Sequence, residues 1–393
     1  MRSGLKVFAK LFPKKLAAGG TDKSKFEASK ETIYMKIKLL GSPTTIMHNP
    51  EARFGTFGYF AWPTAKRLQD GRIAVAASGF RIVHVCPFGK AVICFSGDEG
   101  ETYSLPAVVT DTPLDDRDGG LCPFDENGLI FTSFTNRHIF TDGDEGPIRK
   151  YFYAYLDTLT REDEEKYLCA NFKISRDGGT TFGEFKKSPI TSPHGPIQLK
   201  NGKILWVGMR YFDGKSESHE WRVDSYVLDP ASGKMEKIGE IDPIYVDGER
   251  KKCCEPYTVE LSDGTLICHI RVEPEFSLFQ TESHDGGYTW TPPHRILPPH
   301  GGAPSHILEH SSGVLIATYS FRESPYGIKV MLSRDKGQSW SESEYLYSNT
   351  VSYDLGYPTS VELSDGSIAT VFYATEDTSV GAKIMQQKWK LDI

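Results

Sequence analysis

The sequence predicts an all-β chain folded as a six-bladed β-propeller, and three observations carry that prediction. Six times an alternating apolar strand runs into an Asp/Asn/Ser-Gly turn and out into a second apolar strand, the pattern of a hairpin. The six turn glycines, Gly71, Gly128, Gly202, Gly264, Gly313 and Gly366, are separated by 57, 74, 62, 49 and 53 residues. A strand-rich period above about 40 suits propeller blades, not helical solenoids. No amphipathic helix longer than about three turns is evident.

Composition sets the outer bounds. The 393 residues are 39% hydrophobic and 25% charged, enough to bury a core and ordinary for a soluble globular chain. A formal net charge of -7 argues against nucleic acid as a partner. No run approaches the roughly 18 apolar residues of a membrane helix. Seven cysteines, with Cys253 and Cys254 adjacent, make a poor disulfide framework and match no zinc spacing, so buried thiols are expected and nothing demands a metal or cofactor. Residues 1–34 have Lys10, Lys14 and Lys15 interrupting their only apolar stretch and lack a signal-peptide core. They are expected to form a poorly ordered extension to a propeller over 35–393, and the protein is expected to be cytoplasmic.

In chain order the turns are Asp70-Gly71, Asn127-Gly128, Asn201-Gly202, Asp263-Gly264, Ser312-Gly313 and Asp365-Gly366. The long second repeat carries the best short helix candidate, Thr160 to Lys166, read as a solvated insertion. The fourth hairpin is the clearest: Cys254 to Arg271 (CEPYTVELSDGTLICHIR) opens on Glu255 and closes on Arg271. After the hairpins a second signal recurs. Ser96–Tyr103, Ser175–Phe182, Ser283–Trp290 and Ser333–Trp340 share S-x-D-x-G-x-[TS]-aromatic. Its physics is a self-capped turn in which Asp accepts turn N–H groups, Gly takes positive φ and the aromatic anchors the turn. It lacks the alternating carboxylates of a calcium loop.

Counting back eight residues from the residue before each glycine gives Trp62, Gly119, Pro193, Glu255, Pro304 and Tyr357, with Asp118, His194 and His306 close by. First strands of propeller blades surround the axis, so these leading ends line one central pocket and Glu255 can meet Tyr357. Counting forward, the second strands of repeats one to five end at Arg81, Arg137, Arg210, Arg271 and Arg322. Arginine suits bidentate capture of carboxylate or sulfate, and the set reads as an anion site, although individual members could pair structurally or snorkel to solvent.

The four self-capped turns are Asp-boxes, and over roughly residues 55 to 390 the chain resembles the sialidase superfamily of six-bladed propellers. The resemblance implies a base at Glu255, arginines of the substrate-carboxylate clamp at Arg271 and Arg322, and a nucleophile at Tyr357 in YPTSVELSDG. A phenol needs an adjacent carboxylate to take its proton, and a neutral nucleophile avoids repulsion from a substrate carboxylate. Two departures stand out. The family's first-blade F/Y-R-I-P is here Phe60-Ala61-Trp62-Pro63, and the Glu that holds that Arg is replaced by Ala374, with Glu376 two residues on. No acid/base Asp is evident in the loop after Arg81; His84 stands there, with Asp116 or Asp118 of DDRDGG as the alternative proton donor.

The expected function is therefore an exo-glycoside hydrolase acting on an acidic mono- or oligosaccharide, sialic acid or a related anionic sugar. Glu255, Tyr357, His84 and Asp118 are the catalytic candidates. Arg81, Arg137, Arg210, Arg271, Arg322, His194, His306 and Trp62 are the substrate-binding candidates. The alternatives are a polysaccharide lyase or another enzyme of uronic or sulfated sugars, and a glycan-binding propeller without turnover.

Overall fold

The computed structural model describes residues 36–51, 56–137, 146–211 and 221–392; the expected extension at 1–34 lies outside them. Each hairpin read from the sequence becomes the inner half of a four-stranded antiparallel sheet, and six such sheets form the propeller. Blade one is Tyr59–Arg67, Ile73–Arg81, Lys90–Ser96 and Ala107–Thr110, and blade two is Asp115–Phe124, Gly128–Asn136, Ala170–Ser175 and Lys186–Ser188. Blade three has its first strand split into Ile190–Thr191 and Ile197–Gln198, followed by Ile204–Arg210, Val223–Leu228 and Met235–Ile241. Blade four is Lys252–Glu260, Leu266–Glu273, Ser277–Ser283 and His294–Leu297, and blade five is Ser305–Glu309, Leu315–Phe321, Gly327–Ser333 and Glu344–Tyr347.

Blade six closes the ring. Its Gly356–Glu362, Ile368–Ala374 and Lys383–Asp392 come from the end of the chain, and its outer strand, Lys36–Met47, comes from the beginning. That strand pairs antiparallel from Lys36 opposite Asp392 to Met47 opposite Ile384.

The apolar cores lie between neighbouring sheets, where the two apolar faces leave water. Val75 and Ile73 of blade one meet Val361 and Val371 of blade six. Leu205 and Val207 of blade three meet Leu266 and Ile270 of blade four. The Asp-boxes pin these gaps. Ser96, Asp98 and Thr102 make the expected self-capped turn, with Asp98 accepting from the Thr102 N–H at 2.9 Å, and the other three repeat it. Their aromatics reach the preceding blade: Tyr103 to Gln386 at 2.7 Å, Trp290 to Ser225 at 2.9 Å and Trp340 to Gln280 at 3.0 Å.

Two details differ from the sequence reading. The blade-two turn takes its positive φ at Asp125, not at Gly128. The insertion of blade two holds two helices, Gly146–Leu156 as well as the expected Arg161–Tyr167 with its Thr160–Asp163 capping box. The missed helix has its signal in Ile148, Phe152, Tyr155 and Leu156, an i, i+4, i+7, i+8 stripe that packs on Cys86 and Leu114. All seven cysteines are buried free thiols.

Candidate active site

The leading ends of the first strands carry the site because of one repeated backbone feature. Trp62, Asp118, Glu255 and Tyr357 all have φ between +46° and +54°, a region costly for side-chain-bearing residues. Each sits where the pairing of its hairpin slips, between Ala61 and Thr64, Arg117 and Gly120, Cys254 and Tyr257, and Gly356 and Thr359. Such bulges re-aim a side chain off the sheet. At Tyr357 a glycine makes room: a Cβ on Gly356 would stand 2.1 Å from Ser320 Oγ, the atom that accepts the Tyr357 N–H at 3.1 Å.

Glu255 and Tyr357 meet as expected. The Tyr357 hydroxyl donates to Glu255 Oε1, and Arg271 Nη1 donates to Glu255 Oε2 at 2.7 Å. Arg271 also donates through Nη2 to Glu273. Burial raises the Tyr357 phenol well above its ordinary value, and the charges of Glu255 and Asp118 add to this against the pull of Arg271 and Arg322. The couple borders a cavity of about 360 Å³ that also exposes Asp118, Arg117, Arg271 and Glu273. Phe134, Met209, Tyr211 and Trp221 form its apolar side. Burial pushes the Asp118 carboxyl up to about 7, with Arg117 opposing.

The five arginines do not form one ring. Arg81 is fully buried and holds Asp115 at 2.6 and 2.9 Å. Arg137 pairs with Glu164 of the helical insertion at 2.5 Å, and Arg210 pairs with Asp224 at 2.7 Å. Only Arg271 and Arg322 stand beside the couple; Arg322 donates to the Leu355 carbonyl at 3.0 Å and lies over the Phe276 ring at 5.5 Å.

Trp62 is not an open sugar platform. Its ring is covered by Arg81 at 4.7 Å, Arg117 at 4.1 Å and His84 at 4.9 Å. His194 and His306 are buried and packed edge-on at 5.4 Å, with Tyr257 stacked on His306 at 4.4 Å. Burial drives His194 down to about 3, so both rings are structural neutral imidazoles that do not line the cavity.

His84 does not line the cavity either; it lies behind Arg117, its Nε2 3.5 Å from Arg117 Nη2, and is held by a residue the sequence reading missed. Its Nδ1 is 2.9 Å from Asp354 Oδ1, and Asp354 also accepts from the hydroxyls of Tyr59 and Tyr373, the latter at 2.8 Å. Burial alone would raise the Asp354 carboxyl, but the charge and hydrogen bond of His84, with Tyr59, outweigh it and hold the group well below the usual carboxylate range. Arg117 and Glu273 were also missed. Arg117 had a signal, lying beside Asp118 in DDRDGG; Asp354 had only its place three residues before Tyr357. Among the described residues no cluster of His, Cys, Asp and Glu could hold a metal ion, and no helix is long and apolar enough to cross a membrane.

Comparison with known proteins agrees with this architecture. The profile of the BNR repeat-like domain matches residues 139–370. The chain belongs to the BNR repeat-like family. No protein of curated function matches it in sequence. Among solved structures, a Dyadobacter fermentans protein of unknown function is similar at 18% identity and a TM-score of 0.70, over 90% of this chain and 99% of that one. The NanB sialidase of Streptococcus pneumoniae is similar at 13% identity and 0.61, over 89% and 70%. An α-L-arabinofuranosidase of Fusarium graminearum is similar at 11% and 0.55, over 89% and 98%. At these identities the likeness is one of fold: this BNR repeat-like chain shares the six-bladed propeller of the sialidases.

Proposed function

We propose that the protein is a glycoside hydrolase whose reacting centre is the Glu255–Tyr357 couple, with Asp118 as proton donor. The observation that carries this reading is the convergence of these three groups on one cavity. Glycoside hydrolysis needs one group at the anomeric carbon and one acid to protonate the departing oxygen. A carboxyl held up to about 7 by burial keeps its proton near neutrality, and Glu255, bound to Arg271, is placed to stabilise positive charge at the sugar. The fold shared with sialidases and an arabinofuranosidase is consistent with this chemistry.

The acidic sugar that the sialidase resemblance suggests would have to be held by Arg271 and Arg322, the two of the five arginines beside Tyr357. Arg81, Arg137 and Arg210 give that sugar no support, being committed elsewhere. A lyase would need imidazoles facing the couple, and His194 and His306 are buried away from it. The test is release of 4-methylumbelliferone from a range of its glycosides by wild type, Glu255→Gln, Tyr357→Phe and Asp118→Asn. Turnover that collapses in Glu255→Gln, falls in Tyr357→Phe and survives in Asp118→Asn, because this phenolic leaving group needs little protonation, supports hydrolysis at this couple. Saturable sugar binding without turnover in any of the four proteins would instead mean a glycan-binding propeller.

A further inference from the structure

We infer that the site takes a neutral sugar and that Glu255 forms the covalent bond to its anomeric carbon. This rests on the glycoside-hydrolase reading and deepens it. A substrate carboxylate needs guanidinium N–H groups that no other carboxylate already engages. Around the couple, among the described residues, three of four guanidiniums hydrogen-bond a carboxylate, and the fourth, Arg322, lies in the field of one. Arg81 holds Asp115 with both Nη atoms, and Arg117 reaches the same carboxylate at 3.3 Å. Arg271 divides its fork between Glu255 and Glu273. Arg322 lies in the field of Asp354 and spends Nη2 on the Leu355 carbonyl.

Four arginines thus stand against Asp115, Glu255, Glu273 and Asp354. With Asp118 protonated, only Lys252 is left over, at the exposed rim and 4.3 Å over the Trp221 ring. A substrate carboxylate on Arg271 would have to take it from Glu255 or Glu273 and strand a carboxylate in a mostly buried place, which is unfavourable, and Arg322 would have to hold it alone against the field of Asp354. The first-blade position that would offer a fresh guanidinium is Ala61, fully buried. Asp354 meanwhile gathers two phenols and an imidazole beside Arg322, so the fold itself supplies the anion on that wall.

The nucleophile follows from the sugar. A phenol has an advantage over a carboxylate only where the reacting carbon bears a negative group, and a neutral sugar removes it. Glu255 is held on one oxygen by Arg271 and on the other by the Tyr357 hydroxyl, which keeps the carboxylate ionised and aimed. In the first step a Glu255 oxygen bonds to the anomeric carbon as the bond to the leaving oxygen breaks, and Asp118 gives that oxygen its proton. In the second, Asp118 takes a proton from water as the water oxygen bonds to the anomeric carbon and the Glu255 ester bond breaks. The products are the free sugar and the leaving alcohol, and both carboxyls return to their starting states.

The experiment compares 4-nitrophenyl glycosides of neutral sugars (α-L-arabinofuranose, β-D-xylose, and the common α- and β-hexoses and fucose) with the sialoside, glucuronide and galacturonide. The 2-deoxy-2-fluoro glycosyl fluoride of the best neutral sugar is then incubated with the protein, and the labelled peptide is mapped by mass spectrometry. Expected are cleavage of a neutral glycoside at least a hundredfold faster than any acidic one, and a label on Glu255. Azide should restore Glu255→Ala at least tenfold and yield a glycosyl azide. Cleavage of acidic glycosides as fast as or faster than neutral ones, or a label on Tyr357, overturns the inference and leaves glycoside hydrolysis standing. No cleavage of any glycoside by folded protein overturns both.

Discussion

Glu255 and Tyr357 lie 102 positions apart on different blades, yet they share one backbone state, φ of +53° and +50°, and each precedes a proline. The strained bulge, and not sequence proximity, brings the carboxylate to the phenol. Removing the carboxylate's charge with Glu255→Gln should lower kcat by roughly 10³-fold or more, the scale of an essential covalent or base group. Tyr357→Phe, which removes one hydrogen bond and keeps the ring, should cost only about 10- to 100-fold. Steady-state kinetics on any cleaved glycoside checks the order of the two.

The pH profile should report Asp118. Its carboxyl sits at about 7, so as proton donor it is competent below that pH and lost above it. The rate should fall as pH rises through about 7, and Asp118→Asn should remove that limb along with most of the activity towards poor leaving groups. Activated aryl glycosides, which need little protonation, should be spared.

Stability should carry the same sign from two carboxyls. Asp116 and Asp118 are both raised to about 7 by burial, so between about pH 4 and pH 7 the folded chain binds more protons than the unfolded one. Linkage then requires the contribution of these two groups to fall as pH rises through that window, while the buried neutral His194 and His306 contribute in the opposite sense. Asp354, depressed in the fold, contributes in the opposite sense, losing its stabilisation only in strong acid. In urea melts from pH 4.5 to 8, the stability of wild type relative to Asp116→Asn should fall as pH rises to about 7 and level off above it.

The arginines should separate by role. Arg81→Ala leaves Asp115 buried, with Arg117 at 3.3 Å as its remaining ion-pair partner, and should cost about 3–5 kcal/mol in denaturant unfolding, as breaking a buried pair does. Arg210→Ala should cost less than about 1 kcal/mol, because Lys237 also holds Asp224 at 3.0 Å. Activity of the second variant should match wild type.

Asp354→Asn should uncover the charge of Arg322. Free sialic acid, as a competitive inhibitor, should bind this variant roughly tenfold more tightly than wild type, the order of one charge-assisted hydrogen bond. An unchanged inhibition constant would mean that Asp354 does not mask Arg322.

The hairpins and the couple were legible because a turn fixes the register of both strands it joins, so counting eight residues back from Asp263 or Asp365 converts sequence into place. The same count found the neighbourhoods of Trp62 and Asp118. It failed forward of the turn. Strand side chains alternate faces, and the arginine offsets run through 11, 10, 9 and 8, so Arg81 and Arg210 point to the opposite side from Arg271 and Arg322. Arg137 has the right parity and, like Arg322, lies one residue past its strand, but it turns to Glu164. The deciding carboxylates, Asp115, Glu164, Asp224 and Asp354, are 14 or more residues from the arginines they answer, and nothing local in the sequence announces such partners.

The strand Lys36–Met47 has a consequence for how the molecule is made. It leaves the ribosome before any blade, but its partner Lys383–Asp392 follows all six hairpins in the sequence. Throughout translation the growing arc of blades has two open apolar ends, and the early strand has no native neighbour to pair with. Sealing the ring thus waits for that last strand to emerge and has a long loop to close. Until it happens, Val75 at one end and Val371 at the other, which pack together in the finished protein, are both surfaces on which another chain could stick.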